Sequence, residues 1–296
     1  MRKRSTRWQE ILSLGLRATG LPWLLREVYA RHKITVINYH NPAPQVFARH
    51  MGSFRRRYSF VGIDDVMKAL QTRDFSFLPP KPLLVTLDDG YVGNARLLDV
   101  VKDCGIPIVI YAVAGVVDTH RAFWFDLLPH DTPEMRALKL MPDSKRRGLL
   151  KQEYGHTDEK EYDSAVALSR QQLLTLVEAG AQIGSHSVFH PFLQWCVDEV
   201  GRRECLESRR ILEALLGGPV RHFALPDGSA DGRYRDWIVA AGYLTCRTTA
   251  PGWITPASDL LALPNLGIAD NAGVHKAIVQ ASGLWGLLKR LLVRNG

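Results

Sequence analysis

Two short stretches hold the side chains best suited to chemistry. Asp88 and Asp89 stand side by side before Gly90, and His186 and His190 stand four apart in Gly184-Ser185-His186-Ser187-Val188-Phe189-His190-Pro191. Adjacent carboxylates repel, so the pair is easier to keep if one binds a cation and the other handles protons. A four-residue spacing puts two imidazoles on the same side of one helical turn, where both can meet a single ion. Each stretch alone is ambiguous: Asp-Gly is a common turn dipeptide, and a lone H-x-x-x-H is weak evidence of metal binding. Together they offer two histidines and one carboxylate, three ligands that leave positions for water and substrate, as in hydrolytic rather than structural metal sites.

The elements that must position these residues are strands. Pro82 to Asp89 is a run of apolar and β-branched residues bounded by proline and glycine, which suits a strand covered on both faces. Similar runs occur at 34–40, ending in His40, and at 106–113, 181–186, 220–225, 243–249 and 261–268. Helical spacing predicts helices over 62–71, 93–104, 197–216 and 233–241, and Ser169 with Gln172 forms a capping box before a helix that runs to Gly180. Seven strands separated mostly by helices predict a parallel α/β architecture, and closure into a barrel leaves no exposed edge. The longest interruption, 117–168, is charged and broken by Pro129, Pro133 and Pro142, so it reads as an insertion. We expect a barrel domain at 34–270, a basic amphipathic extension at 1–33 and a helical tail at 271–296.

The chain has 296 residues and a formal charge of +8, concentrated at its ends. Residues 1–33 hold eight basic and two acidic side chains, and no zinc-finger, RNA-binding or helix-turn-helix signature accompanies them, so no nucleic-acid partner is expected. Cys104, Cys196, Cys205 and Cys246 stand singly, which excludes a zinc knuckle or dithiol motif. The apolar segment 11–25 is interrupted by Arg17, Gly20 and Pro22, poor for a transmembrane helix, and the reading is a cytoplasmic chain. The same segment, and 284–292, also suit peripheral contact with a membrane surface, against the alternative that both pack on the domain.

With these motifs in place, the sequence resembles the polysaccharide deacetylase family, the carbohydrate esterases that include nodulation and chitin deacetylases. Thr86-Leu87-Asp88-Asp89-Gly90 matches that family's T-F-D-D-G with one conservative change, and His186, Ser187, His190 and Pro191 match its H-S/T-x-x-H-P fully. Tyr39-His40, Ile106-Pro107 and Phe223-Ala224-Leu225-Pro226-Asp227-Gly228 extend the likeness over about 34–268 with less specificity. The resemblance implies a distorted seven-stranded (β/α) barrel, Asp88 as general base, and Asp89, His186 and His190 as ligands of a divalent metal, commonly zinc. It also implies the chemistry: the metal polarises a water and the amide carbonyl, Asp88 takes the water's proton, and the backbone N–H near Asp227 shares the oxyanion. His40 and His275 are the two histidines that could serve the leaving amine, His40 being favoured as a pocket residue.

The departures are in the third motif. Phe223 stands where the family usually has an arginine near the base and Asp227 where it has a tyrosine, while the L-P-R near the last strand appears as Leu263-Pro264-Asn265. Losing the arginine removes a charge that would hold Asp88 ionised, and Asp227 adds a carboxylate nearby. Phe123-Trp124-Phe125 and Trp195 are candidates for stacking on sugar rings or for core packing. The expected function is metal-dependent removal of N-acetyl groups from amino sugars of a polysaccharide or its precursor, as in exopolysaccharide biosynthesis. The alternatives are hydrolysis of a non-sugar C–N bond and a catalytically weakened glycan-binding or membrane-associated scaffold.

Overall fold

The computed structural model describes residues 2–129, 132–228 and 231–288. Its strands are β1 Thr35–Tyr39, β2 Ser59–Phe60, β3 Pro82–Asp89, β4 Ile108–Ala112, β5 Gln182–Ser185, β6 His222–Ala224, β7 Thr245–Pro251 and β8 Leu263–Gly267. All pair in parallel, and β1 bonds both β3 and β8, which closes a seven-stranded barrel; β2 joins only the start of β3. The helices are α1 Arg2–Ala18, α2 Leu21–Leu24, α3 Pro44–Arg55, α4 Ile63–Thr72, α5 Leu98–Cys104, α6 Pro133–Lys139, α7 Asp143–Tyr154, α8 Arg170–Glu178, α9 Asp198–Leu216, α10 Tyr234–Ala240 and α11 Val274–Ala281.

Strand alternation decides what faces the barrel axis. In β3, Leu83, Val85 and Leu87 join the large core under the helices, whereas Leu84 belongs to a second core with Val36 of β1 and Val109 of β4. Ile63, Val66, Ala69 and Leu70 of α4 plug that second core from below, the three larger side chains each stabilising by about 1.5–3 kcal/mol. The inward parity then carries upward in register, Asn38 beside Thr86, to Asp88 at the barrel mouth. The polar end of each strand is thus set by the apolar pattern beneath it.

Two segments differ from the sequence reading. It places no element between His40 and Gly62, yet α3 lies there, with Pro44 in its first turn and Phe47, His50, Met51 and Phe54 buried at helical spacing. The helix expected from Gly93 opens instead as a 3₁₀ turn, Val92–Leu97. The insertion is structured: Arg121 and Glu161 form an isolated bridge, α6 and α7 lie between them, and Met135, Leu138 and Leu150 are buried. The Ser169–Gln172 capping box is formed, with Ser169 Oγ accepting from the Gln172 N–H at 3.3 Å and Gln172 Oε1 from the Ser169 N–H at 2.9 Å.

Candidate active site

Asp88 and Asp89 end β3, where strict alternation would send them to opposite faces. Asp89 adopts φ 70° and Gly90 φ 75°, so the chain turns at the mouth and both carboxylates enter one cleft. A side chain at Gly90 would meet Ala112 of β4 at 3.2 Å in an already left-handed backbone, which accounts for the glycine. Ser187, His190 and Asp227 also have positive φ; four of the seven such non-glycine residues among the described residues therefore sit in these motifs. Each costs on the order of 1–3 kcal/mol, strain typical of functional sites.

The two histidines are not on a helix. They occupy a tight loop after β5, which corrects the helical-turn reading; Ser187 and Pro191 belong to the loop's construction. Ser187 Oγ accepts the His190 N–H at 3.0 Å, and Ser185 Oγ accepts the Ser187 N–H at 3.2 Å. The loop is gripped from outside by Glu204 of α9, a buried carboxylate accepting the N–H groups of Val188 at 2.8 Å and Phe189 at 3.0 Å. Trp124 Nε1 donates to the His190 carbonyl at 3.0 Å, and Phe125 packs on the His190 ring with centroids 4.4 Å apart. The insertion's Phe-Trp-Phe run is therefore mostly core that steadies a site residue, with Phe125 also on the cleft wall, while Trp195 lies outside the cleft lining.

Asp89 Oδ1 lies 3.7 Å from His186 Nε2 and 3.7 Å from His190 Nε2. His186 Nδ1 donates to the Ala224 carbonyl at 2.8 Å, which turns the lone pair of Nε2 toward Asp89. Burial lowers the pKa of His186 to about 4 and that of His190 well below its ordinary value, so both rings stay neutral. Burial pushes Asp89 up to about 7, with the neighbouring Asp88 charge adding to it against the opposing pull of His40. Two neutral imidazoles and a buried carboxylate short of positive charge, all within 4.8 Å of one another, fit a divalent cation. A raised carboxyl pKa favours the fold below the unfolded value near 4 and loses that support as pH rises through about 7. Zinc should therefore raise the melting temperature several degrees more at pH 7.5 than at pH 5 in calorimetric scans; an equal shift at both would count against this site.

Asp88 is arranged for the opposite ionisation. Burial alone would raise its pKa, but the charge of Arg247, aided by His40, brings it below the ordinary carboxylate value. Arg247 Nη2 donates to both Asp88 oxygens at 2.5 Å, and Asn38 Nδ2 donates to Oδ2 at 2.9 Å. Thr86 of the same motif steadies Asn38, its Oγ1 lying 3.0 Å from Asn38 Oδ1. The expectation of a base without its arginine is corrected: Phe223 is packed in the core against Tyr243, and the guanidinium comes from the neighbouring strand β7. A sequence signal existed, since an arginine inside a strand buried on both faces needs an acidic partner, but its identity was not readable.

The remaining candidates divide. His40 lines the cleft; burial lowers its pKa, but Asp89, Asp88 and Asp270 outweigh that and raise it. Asp270 was not anticipated, and it holds the turn after β1 by accepting the N–H groups of His40 at 3.0 Å and Asn41 at 2.9 Å. His275, on α11, instead meets Arg17 through Nδ1 and does not line the cleft. Asp227 sits on the cleft rim, 3.8 Å from Lys139 of the insertion, and is not among the charges that dominate Asp88. Burial raises the Asp227 pKa against the pull of Lys139. Asn265 also lines the cleft, its Nδ2 donating to the Thr248 carbonyl at 3.1 Å. The cleft encloses about 840 Å³, in the range of a small-ligand site.

Comparison with known proteins gives a consistent result. The polysaccharide deacetylase family model matches residues 77–246, more than half the chain. No curated protein matches significantly. Among solved structures, the deacetylase PplD of Streptococcus pyogenes in complex with acetate is 17% identical, with 84% of this chain and 98% of that one covered and a TM-score of 0.62. IcaB from Ammonifex degensii is 17% identical, covering 85% and 97%, with a TM-score of 0.61. A de-N-acetylase from Aggregatibacter actinomycetemcomitans is 15% identical, covering 83% and 99%, with a TM-score of 0.59. At these identities the likeness is one of fold.

Proposed function

Since the chain belongs to the polysaccharide deacetylase family, we propose that it is a metal-dependent hydrolase that removes N-acetyl groups from amino sugars of a polysaccharide or its precursor. The observation that carries this reading is the division of the carboxylate pair: Asp88 kept ionised by Arg247, Asp89 pushed up toward neutrality beside two neutral histidines. Environments that drive paired acids apart assign them different roles. Asp89, His186 and His190 would hold the cation, and two imidazoles with one carboxylate suit zinc. Such a cation, when bound, supplies Lewis acidity toward the amide carbonyl and makes water easier to deprotonate.

The chain's own groups do the rest. Asp88, aimed by Asn38 and Arg247, removes a proton from the attacking water as general base. The backbone N–H at Asp227 is the proposed donor to the developing oxyanion at the rim. His40, whose pKa the neighbouring carboxylates raise, gives a proton to the departing amine. Tyr91 and Phe125 supply aromatic surface for a sugar ring, and Lys139 and Asp126 polar groups at the edge. The match to the polysaccharide deacetylase family favours a glycan over a non-sugar amide.

The test is acetate release from oligomers of N-acetylglucosamine by the zinc-loaded chain. Dialysis against a chelator should reduce the rate at least about 100-fold and added zinc restore it. A metal-replete protein that releases no acetate from chitin oligomers, a β-1,6-linked N-acetylglucosamine polymer or peptidoglycan fragments would overturn the proposal.

A further inference from the structure

The outer face of α1 and α2 carries the reverse of the usual pattern for a surface helix. The residues of α1 that turn inward are polar. Glu10 accepts the N–H groups of His275 at 2.9 Å and Lys276 at 3.1 Å, capping the start of α11; Gln9 meets Lys276 Nζ at 2.6 Å; Ser13 is buried; Arg17 meets His275. The residues that turn outward are apolar: Trp8 is 71% exposed, Ile11 52%, Leu12 56% and Leu14 50%, and in the following turn Trp23 is 57% and Leu24 47% exposed. Of the 21 large apolar side chains exposed among the described residues, nine lie between Trp8 and Tyr29. Scattered exposed leucines are ordinary; a concentration of this kind marks a contact surface.

Charge says what the surface meets. Residues 1–33 hold eight basic side chains and two acidic ones, and both acids are engaged within the protein. Glu10 caps α11, and Glu27 is paired with Arg26 at 2.7 Å and Lys81 at 2.9 Å. A partner at this face therefore meets apolar side chains on a segment whose sequence carries a net charge of +6. A second copy docking here would bring like charge against like, whereas an anionic bilayer offers both an apolar interior and negative headgroups. Tryptophans at the ends of such a patch suit the interface between headgroups and acyl chains. No described helix is long and apolar enough to cross a membrane, so the contact is peripheral. At the other end of the chain Leu284 is buried and Trp285 half-buried, and 289–296 lie outside the described residues, so the surface is built on α1 and α2.

We propose that the outer face of α1 and α2 is a docking surface for an anionic lipid bilayer, which would hold the barrel at a membrane. The full chain is mixed with vesicles of phosphatidylcholine alone or phosphatidylcholine with phosphatidylglycerol, and binding is read by flotation and tryptophan emission. Binding should favour the anionic vesicles, weaken as salt rises, and shift emission to the blue. The exposed triple variant Trp8→Gln, Leu12→Gln, Trp23→Gln should bind at least about tenfold more weakly with an unchanged melting temperature, and Val239→Gln, an exposed apolar residue of α10, should bind as the parent does. No flotation with either vesicle, or a triple variant that floats equally well, overturns the proposal. So does light scattering that shows a dimer in the parent and a monomer in the triple variant, which would assign the face to a second copy.

Discussion

Asp88→Asn lowers the rate of acetate release about 1,000-fold at neutral pH while zinc affinity stays within a few-fold of the parent. Asparagine keeps the size of the side chain and an acceptor oxygen for Arg247 and Asn38, so the barrel mouth keeps its shape; what it loses is the ability to take a proton. The three proposed ligands, Asp89, His186 and His190, are untouched, so metal binding measured by titration separates loss of the base from loss of the site. A variant that retains more than about a tenth of the parent rate, against the 100-fold or more expected of a general base, would show that another group removes the proton.

Arg247→Met should act on the same atom from the other side. Its guanidinium is the largest influence opposing the burial of Asp88, so without it burial prevails and the Asp88 pKa rises. The acid limb of the pH–rate profile moves to higher pH, and the loss, about 100-fold near pH 6, shrinks as pH increases and Asp88 ionises again. A merely structural role would lower the rate by a constant factor at every pH. Stability gives a second reading: leaving Asp88 buried without its partner costs roughly 3–5 kcal/mol. Because the folded pKa of Asp88 is below the unfolded one, the pair's contribution is present above about pH 4 and is lost as pH falls through the folded value. The gap in melting temperature between parent and variant should therefore close on acidification, as thermal scans across that range would record.

Together these variants address the counter-charge of the base, which the third motif does not supply. With Phe223 at the position usually held by arginine, the base looked unsupported, and a weakened scaffold was a reasonable alternative. In the structure Asp88 has a counter-charge and an aligned donor, from Arg247 and Asn38, and Asp227 is paired with Lys139 instead of crowding the base. That arrangement answers the missing arginine, and the rates of the two variants test whether turnover is weakened.

Much of the molecule was legible because the signals were local. Apolar runs ending in a carboxylate or histidine marked the strands, and Gly90 marked the turn after the carboxylate pair. The identities of Asp88, Asp89, His186 and His190 as neighbours followed from chemistry that needs all four. The loop conformation did not follow, since a four-residue spacing is compatible with a helical turn as well as with the tight loop that Ser185 and Ser187 build.

What only the tertiary structure decided is which distant side chains complete the site. Arg247 and Asp88 are 159 residues apart, and Asn38 and Asp88 are 50 apart. Period-two alternation tells which residues of one strand point inward, yet it does not tell which inward residues of different strands reach the same height on a shared axis. That depends on strand register and barrel closure, which are set by the packing of all seven strands at once. Hence the sequence named the carboxylate pair and the two histidines that gather beside it, and the fold chose the arginine that keeps one member of the pair charged.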